Sequence, residues 1–539
     1  MKSQKIIHLI IIAAISFFFR FYQLSSYPVH LSMDEAAITY NAYSIATTGK
    51  DEWNEFMPLA FKSAGDYKPP VNIYLTAPIT TIFGINEFSS RFVSAFLGSL
   101  TPIILYLLLT LLNFSALPSL LTSLWLAILP WHIHFSRASF EAITALFFLF
   151  TGLYFFFKWI KNSKPLNLLF FIISFSLSVW SYHAERLFIP LISLYLLIAN
   201  FKTVKNHLSK LSLKWILSLT ATFLIFSVPF IKLTFFTPAI MTRAAATSIL
   251  RESSLGNSLH SSYSSLSQQI FDNNTYLIFK HWFNKYLSYF DFRFLFWKGM
   301  QFTPPQSPGI GILMLFDIIL FPIALYQLIH KKNKQRLSLF IALFLLGPFP
   351  ASLTMNNQHP LRALTWIPAF AFLFVYAFEF LSKKFKKHIF LPVIFIIYTI
   401  STIYSVNIYA SLFPHYYSEY WQYGYKEAAQ YLCQNKDSYD KIIVSDTFGS
   451  DGPLNTGLPY LYVLMACDYP PTLFQQKQQT GKIQYRRADW PHDQFENNML
   501  IVASPWDILD DNIPEESIVK KIYFKNGKEA FILIETNEK

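Results

Sequence analysis

The chain has 539 residues, of which 53% are hydrophobic and only 14% are charged, and its mean hydropathy is +0.32. An average soluble domain carries about 25% charged residues, so this composition excludes a disordered chain, a collagen-like repeat and an ordinary soluble enzyme. The net charge of +12 does not predict nucleic-acid binding, because most of the positive charge lies in short loops between apolar runs. We therefore predict a polytopic membrane protein that contacts membrane lipids and no nucleic acid.

Apolar runs long enough to cross a bilayer, which takes about 20 residues, occur along most of the chain. Eleven are found, at roughly 6–24, 90–112, 116–132, 141–159, 166–182, 187–201, 214–234, 309–329, 337–354, 361–381 and 389–411. The first run follows Lys2 and Lys5 and lacks a small-residue cleavage site, which predicts a retained signal anchor.

The lysine-rich loops between these runs predict the orientation. Seventeen cations fall on one side if eleven spans are counted: Lys2, Lys5, Lys158, Lys161, Lys164, Lys202, Lys205, Lys210, Lys214, Lys331, Lys332, Lys334, Arg336, Lys383, Lys384, Lys386 and Lys387. The positive-inside rule makes this side cytoplasmic. We expect a multi-pass plasma-membrane protein with a cytoplasmic N-terminus and with residues 25–89, 235–308 and 412–539 outside the cytoplasm.

Two domains are expected, a transmembrane domain over residues 1–411 and a small extracytoplasmic α/β domain over 412–539. Within the first, residues 25–89 form an outer loop with an amphipathic helix over DEAAITYNAYSIATTG and a second helix after KPP, both suited to the membrane interface. The long loop 235–308 is a candidate lid over a site.

The tail after residue 412 has the pattern of a soluble α/β module. GYKEAAQYLCQ and PYLYVLMA predict helices, whereas KIIVSD, NMLIVAS and EAFILIET predict buried strands. Cys433 and Cys467 lack metal-ligand spacing. A disulfide between them is permitted outside the cytoplasm, and two separate free thiols are the alternative.

Charged residues next to the membrane need a reason in so apolar a chain. Asp34 and Glu35 either complement the dipole of a helix start or supply a base for an acceptor hydroxyl. Lys68, fixed by the two prolines that follow it, is suited to a phosphate oxygen, with a snorkelling interfacial lysine as the alternative.

Arginines concentrate on the predicted outer side, and each short outer loop contains one: Arg137, Arg186 and Arg362. Guanidinium groups bind phosphate bidentately, so these loops predict a site for a lipid-linked phosphate. The alternative is local pairing, of Arg186 with Glu185 or of Arg137 with Glu141.

Several motifs resemble a known family. The chain carries Asp34-Glu35, then Lys68-Pro69-Pro70, and then Phe83-Gly84 with Glu87, Phe88 and Arg91; a second block is Pro130 followed by SRASFEA. These features resemble the polyprenyl-phosphate-dependent glycosyltransferases of the GT-C superfamily, in particular the protein O-mannosyltransferase, aminoarabinose (lipid A) transferase and RgtA/B/C/D-like group. The resemblance is good over roughly residues 1–200, looser to about 410 and weak in the tail.

The resemblance implies an all-α polytopic fold of GT-C type and an enzyme that moves a sugar from a polyprenyl-phosphate donor to an acceptor hydroxyl at the outer face, with inversion. The acceptor would be a lipid, a glycan or a protein. Asp34 would be the catalytic base and Glu35 would assist it, while Lys68, Arg137, Arg186 and Arg362 would bind the donor phosphate.

Some relatives that modify lipid A have a glutamate before Lys-Pro-Pro that helps to form a metal site, whereas this chain has Tyr67 there, with Asp66 before it. No cofactor is therefore expected to be required, and a divalent metal is possible but not indicated. Further residues expected to support the site are Tyr67, Asp66, Glu141, His183 and His359.

Two other classes of function fit a chain of this kind. A transporter or flippase for lipid-linked glycans typically shows paired halves and ionisable groups at mid-membrane, neither of which the sequence contains. A non-catalytic scaffold that presents the outer α/β module would make Asp34 and Lys68 dispensable.

Overall fold

The computed structural model describes residues 2–536 except 64–65, 238–246, 257, 260–264, 300–309, 332, 356–357, 451, 454–456 and 509–512. The chain divides into two compact units. The first unit comprises Met1–Tyr22, Ser94–Ser136 and Phe140–Ser405, and the second comprises Gln23–Val93, Arg137–Ser139 and Val406–Lys539.

The first unit is helical, and apolar side chains dominate its longer helices. Its helices, with one that continues from the second unit, are Lys2–Phe21, Glu87–Leu111, Ala116–Ile128, Pro130–Arg137, Glu141–Asn162, Pro165–Ser181, Glu185–Ala199, Phe201–Leu208, Leu213–Phe236, Ser253–Gly256, Leu266–Phe271, Asn274–Ser288, Asp317–His330, Lys334–Leu346, Phe349–Ser352, Ile367–Lys384 and Lys387–Asn407. The helix Ile367–Lys384 is buried along most of its length, which places it in the interior of this unit.

Each of the eleven predicted runs overlaps a helix, but not each helix is long enough by itself to cross a bilayer. Among the described residues, seven helices meet the length and hydropathy required, or nine if the two bent pairs, Ala116–Ile128 with Pro130–Arg137 and Glu185–Ala199 with Phe201–Leu208, are each one span. Pro165–Ser181 and Asp317–His330 are apolar but shorter. The polytopic helical fold is confirmed, whereas the count of eleven spans is not.

The second unit contains a hairpin and a mixed sheet. Its strands are β1 (Phe61–Ser63), β2 (Asp66–Lys68), β3 (Lys441–Val444), β4 (Ile483–Tyr485), β5 (Met499–Ala503), β6 (Ile518–Tyr523) and β7 (Glu529–Thr536). Strands β1 and β2 pair antiparallel, with Phe61 opposite Lys68. The other five have the order β4-β3-β5-β7-β6, parallel from β4 to β5 and antiparallel from β5 to β6.

The tail matches its predicted elements closely. Strands β3, β5 and β7 and the helices Tyr425–Asn435 and Pro459–Ala466 form where the patterns predict them, whereas β4 and β6 were not predicted. β5 is buried at all five positions, as its unbroken apolar run indicates. Cys433 and Cys467 form a disulfide, which resolves the two alternatives left by the sequence.

The helix Met33–Thr48, with Asp34 and Glu35 in its first turn, is enclosed by protein rather than amphipathic as predicted. Ten of its sixteen residues are buried. Ala36, Ala37 and Tyr40 join the core of the C-terminal α/β region. Ile38 and Ala42 lie in a second cluster with residues of β1 and of the helix Pro70–Phe83. The small alanine side chains allow this close packing on both sides.

The division of the chain therefore differs from the predicted boundary at 411/412. Residues 25–89 were assigned to the transmembrane domain, whereas they form one compact unit with the C-terminal chain. Gln475 explains part of this association, because its Nε2 donates to Ser44 Oγ and Thr48 Oγ1, both at 2.9 Å. Of the predicted lid loop 235–308, residues 238–246, 257, 260–264 and 300–308 lie outside the described part of the chain.

Candidate active site

The helix that carries the two adjacent carboxylates begins with a reciprocal cap. Ser32 Oγ accepts from the backbone N–H of Glu35, and Glu35 Oε2 accepts from the backbone N–H of Ser32 at 2.9 Å. Such a capping box fixes the first turn of a helix. The direction of the Asp34 side chain is therefore set by the same turn that holds Glu35.

Glu35 is fully buried, and its carboxylate is held from several sides. Its Oε1 accepts from Arg91 Nε at 2.9 Å and from the backbone N–H of Ser139 at 3.1 Å. Arg91 is itself fully buried and donates to three backbone carbonyls, those of Leu24, Pro28 and His30. This pair ties together three segments of the second unit, because a buried charge is tolerated only when it is paired and hydrogen-bonded.

Asp34 is much more exposed than its neighbour and contacts Lys68. The ammonium of Lys68 donates to Asp34 Oδ1. The Lys68 side chain is 4% exposed, whereas that of Asp34 is 46% exposed. The sequence predicts that these two residues belong to one site, and the structure brings them into contact across 34 positions of the chain.

The hairpin explains how Lys68 is positioned. Lys68 ends β2, and Pro69 and Pro70 follow it, with Pro70 at the start of the helix Pro70–Phe83. Proline has a fixed φ and is well suited to the first turn of a helix. In the same strand, Asp66 Oδ1 accepts from the backbone N–H of Tyr67 at 2.7 Å, so Asp66 stabilises the hairpin.

Arg137, predicted to bind the donor phosphate, also lies in the second unit. It is 5% exposed, and its Nη2 donates to the carbonyls of Gln23 and Tyr27 at 3.0 and 3.1 Å. Its guanidinium lies 5.8 Å from the ring centre of Tyr409. These contacts hold Arg137 against the segment that leads to Asp34.

Arg186 and Arg362 lie in the first unit, where they line the same cavity. The cavity has a volume of about 480 Å³ and also contains His183, Thr234 and Thr354 in its wall. Arg362 Nη1 donates to Thr354 Oγ1 at 2.7 Å and to the carbonyl of Met355 at 3.3 Å. The guanidinium of Arg186 lies 5.4 Å from the ring centre of Phe230. The structure thus brings together two of the three predicted arginines.

The other two predicted support residues lie elsewhere in the first unit. Glu141 begins the helix Glu141–Asn162. His359 is 5% exposed, and its backbone N–H donates to the Tyr289 hydroxyl at 3.1 Å. Burial lowers the pKa of His359, with a further contribution from Arg362, so its imidazole is neutral at neutral pH.

Sequence reasoning missed a second buried carboxyl in the outer segment, that of Glu52. Its Oε1 accepts from Asn41 Nδ2 at 3.2 Å, and its Oε2 accepts from the Tyr460 hydroxyl at 3.1 Å. Burial raises the pKa of Glu52 to about 7. No sequence signal could have revealed it, because the tyrosine is 408 positions away in the chain.

Within the described ranges, there is no group of three or more His, Cys, Asp or Glu side chains suited to hold a metal ion. Tyr67 precedes Lys68 in β2. At this position the resemblance implies a glutamate in those relatives that have a metal site. That no cofactor is required stays a prediction.

Comparison with known proteins agrees with these motifs. The family model described as "Dolichyl-phosphate-mannose-protein mannosyltransferase" matches residues 10–243, the part of the chain that contains Asp34, Lys68 and Arg137. No curated protein matches the chain in sequence.

Solved structures resemble the chain over different shares of its length. ArnT from Cupriavidus metallidurans, bound to undecaprenyl phosphate, has a TM-score of 0.55 at 12% identity, with 97% of each chain covered. The oligosaccharyltransferase AglB from Archaeoglobus fulgidus, in complex with an inhibitory peptide and a dolichol-phosphate, has a TM-score of 0.48 at 15% identity, covering 86% of this chain and 64% of its own. The Saccharomyces cerevisiae Pmt1-Pmt2 complex has a TM-score of 0.33 at 21% identity, covering 44% of this chain and 34% of its own.

These findings confirm the predicted resemblance at the level of the superfamily. The family model matches residues 10–243, the fold is similar to that of ArnT, and the apolar helices are those of a multi-pass membrane protein. The chain therefore has the fold of the GT-C glycosyltransferases.

Proposed function

We propose that this protein is an integral membrane glycosyltransferase that moves a sugar from a polyprenyl-phosphate donor to the hydroxyl of an acceptor. The observation that carries the proposal is the contact between the half-exposed carboxylate of Asp34 and the buried ammonium of Lys68. A base that is open to an acceptor stands beside a cation suited to a phosphate oxygen.

The proposed reaction is a single displacement with inversion. The Asp34 carboxylate takes the proton of the acceptor hydroxyl as its oxygen attacks the anomeric carbon of the donor sugar. The bond from that carbon to the phosphate oxygen breaks on the opposite face, and the phosphate leaves with the electron pair. Lys68 stabilises the negative charge that develops on the leaving phosphate, which is the contribution that fixed cations make to such transition states.

The ion pair supports both roles. The contact places the carboxylate and the ammonium side by side. Lysine has three N–H donors, so one ammonium can serve a carboxylate and a phosphate oxygen together. We assign Glu35 a positioning role, because its carboxylate is fully buried and accepts from Arg91 and Ser139.

Arg186 and Arg362 are proposed to bind the donor phosphate from the wall of their cavity. The residues of that wall supply two guanidinium groups and several hydroxyls, among them that of Thr354. Guanidinium groups bind phosphate through charge-assisted hydrogen bonds. Arg137 is proposed to act indirectly, since it donates to the carbonyls of the segment that precedes Asp34.

The lysine clusters support a cytoplasmic N-terminus, and the Cys433–Cys467 disulfide supports an oxidising compartment for the C-terminal region. Transfer would then take place at the outer face of the membrane. A panel of donors identifies the sugar, and a panel of membrane acceptors identifies the acceptor.

The test uses the purified full chain reconstituted in vesicles with radiolabelled polyprenyl-phosphate sugars and membrane acceptors. We expect one donor to transfer its label and Asp34→Asn to abolish the transfer. Glu55→Gln, which removes an exposed carboxyl from the same segment, serves as the matched control. Failure with every donor, or full activity of Asp34→Asn, would refute the proposal; movement of label across the vesicle without transfer would favour a flippase.

A further inference from the structure

The first unit contains a second cation-lined cavity, at the other end of the helix Glu185–Ala199. Residues before and at the start of this helix line the cavity with Arg186 and Arg362, whereas Tyr195, Ala199 and Asn200 at its end line the second one. A helix of this length spans about 21 Å, which is most of the hydrocarbon thickness of a bilayer. The two cavities are thus suited to opposite leaflets.

The polar wall of the second cavity carries two cations. Lys161 Nζ donates to Asn113 Oδ1 at 3.3 Å, and Arg336 Nη2 donates to the carbonyl of Leu112 at 2.6 Å. Asn200 and Gln335 complete this wall and are hydrogen-bonded to each other at 3.0 Å. The cavity has a volume of about 380 Å³.

Neither cation is neutralised by an acid within the part of the chain that the structure describes, because both donate to neutral oxygens. The nearby carboxylate of Glu379 accepts instead from Lys331 and from Lys383. An excess of positive charge next to a polar cavity favours an anion.

The remainder of the wall is apolar and continues into the membrane-spanning helices. Leu112, Phe157, Leu339 and Phe372 line the polar cavity and also a small adjoining cavity of about 20 Å³ whose lining is entirely apolar. The same molecule could therefore place a charged group against the two cations and a hydrocarbon chain against the apolar wall.

We propose that this cavity binds an anionic phospholipid, with the phosphate held by Lys161 and Arg336 and an acyl chain along the apolar wall. The composition of the wall favours a lipid over free phosphate, because an inorganic ion would leave the apolar residues of the lining without a partner. Lysine clusters place this end of the helices on the predicted cytoplasmic side, where anionic lipids attract basic segments. This proposed lipid site takes no part in the proposed transfer reaction.

The experiment uses the full chain purified in detergent, with added dioleoyl phosphatidylglycerol or dioleoyl phosphatidylcholine and native mass spectrometry to count bound lipid. We expect wild type to retain phosphatidylglycerol in preference to phosphatidylcholine. Lys161→Gln with Arg336→Gln should weaken retention of phosphatidylglycerol about tenfold or more, because two charge-assisted contacts are lost. Lys202→Gln with Lys205→Gln, which removes two exposed lysines at the same end of the molecule, should leave it unchanged.

The single variant Lys161→Gln is the control for a folding defect. Lys161 is exposed, whereas Arg336 also donates to the carbonyl of Leu112 and its loss could destabilise the protein. The single variant should weaken retention by an intermediate factor with the unfolding midpoint unchanged. Equal retention of the two lipids, or unchanged retention in the double variant, would overturn the proposal. So would competition by millimolar inorganic phosphate or a preference for polyprenyl phosphate over phosphatidylglycerol, since either would identify a different ligand.

Discussion

The Glu35–Arg91 pair and the cavity lined by Arg186 and Arg362 show two uses of charge in one chain. Glu35 and Arg91 are both fully buried and hold each other at 2.9 Å. Arg362, in contrast, is half-buried at a cavity and donates to the neutral oxygens of Thr354 and Met355. The first arrangement stabilises the fold next to Asp34, whereas in the second a guanidinium donates to neutral oxygens at the wall of a cavity.

The largest expected effect on stability comes from removing one member of the buried Glu35–Arg91 pair. Glu35→Gln leaves the Arg91 guanidinium buried without a counter-charge, and breaking such a pair costs about 3–5 kcal/mol. We expect a large fall in the midpoint of thermal unfolding in detergent. Glu55→Gln should have no effect, and an unchanged midpoint in Glu35→Gln would show that the pair does not stabilise the fold.

Removing the disulfide tests whether the C-terminal region needs a covalent constraint beside its core. Cys433 and Cys467 are 34 positions apart, and the loss of such a bond costs about 2–4 kcal/mol. Cys433→Ser with Cys467→Ser should lower the unfolding midpoint. Reducing agent should lower that of wild type to a similar value and leave the double variant unaffected; a wild type insensitive to reduction would contradict the bond's role.

The variant Arg362→Met tests whether the arginine at the cavity binds the donor phosphate. A charge-assisted hydrogen bond to phosphate contributes about 1.5–3 kcal/mol, so the KM for the donor should rise about 10–100-fold while the unfolding midpoint changes little. Arg293→Met, which removes an arginine that is 73% exposed and paired with Asp291, is the control. An unchanged KM would remove Arg362 from the donor site.

The smallest expected effect is a pH dependence that arises from Glu52. Burial raises the pKa of Glu52 to about 7 in the folded protein, whereas an unfolded glutamate titrates at about 4.3. The folded state therefore binds more protons than the unfolded state between these values, and stability falls as pH rises through this range, by on the order of 1–3 kcal/mol.

Glu52→Gln should reduce this fall, because a glutamine does not titrate. The measurement is the unfolding midpoint at several values between pH 4.5 and 8 in wild type and in Glu52→Gln, a span set by the pKa of Glu52. Parallel pH curves for the two proteins would show that another group is responsible.

The sequence predicts well what depends on local pattern. Apolar runs give the helices, short apolar runs in the tail give β3, β5 and β7, and the spacing of motifs suggests that Asp34 and Lys68 share a site. It failed for the helix Met33–Thr48, which was predicted to be amphipathic and interfacial but is buried on both sides. That burial depends on Tyr425, Leu461 and other residues of the distant tail. A local sequence pattern does not contain these contacts.

The same limit applies to the adjacent carboxylates. Asp34 and Glu35 are equivalent in the sequence, yet one is 46% exposed and the other is fully buried. Which of the two faces the solvent depends on Arg91 and Ser139, which approach Glu35 from other parts of the chain. The positions of these partners follow from tertiary packing and so could not be derived from composition or spacing.

The most direct test of the account separates donor binding from turnover in Asp34→Asn. Single-turnover transfer and equilibrium binding of the polyprenyl-phosphate sugar are measured on the same preparation, with Glu55→Gln as control. If Asp34 takes the proton, Asp34→Asn binds the donor within a fewfold of wild type and transfers the sugar about 10²–10⁴ times more slowly. Transfer at a near wild-type rate, or a loss of donor binding that accounts for the whole defect, would contradict the assignment of Asp34 as the base.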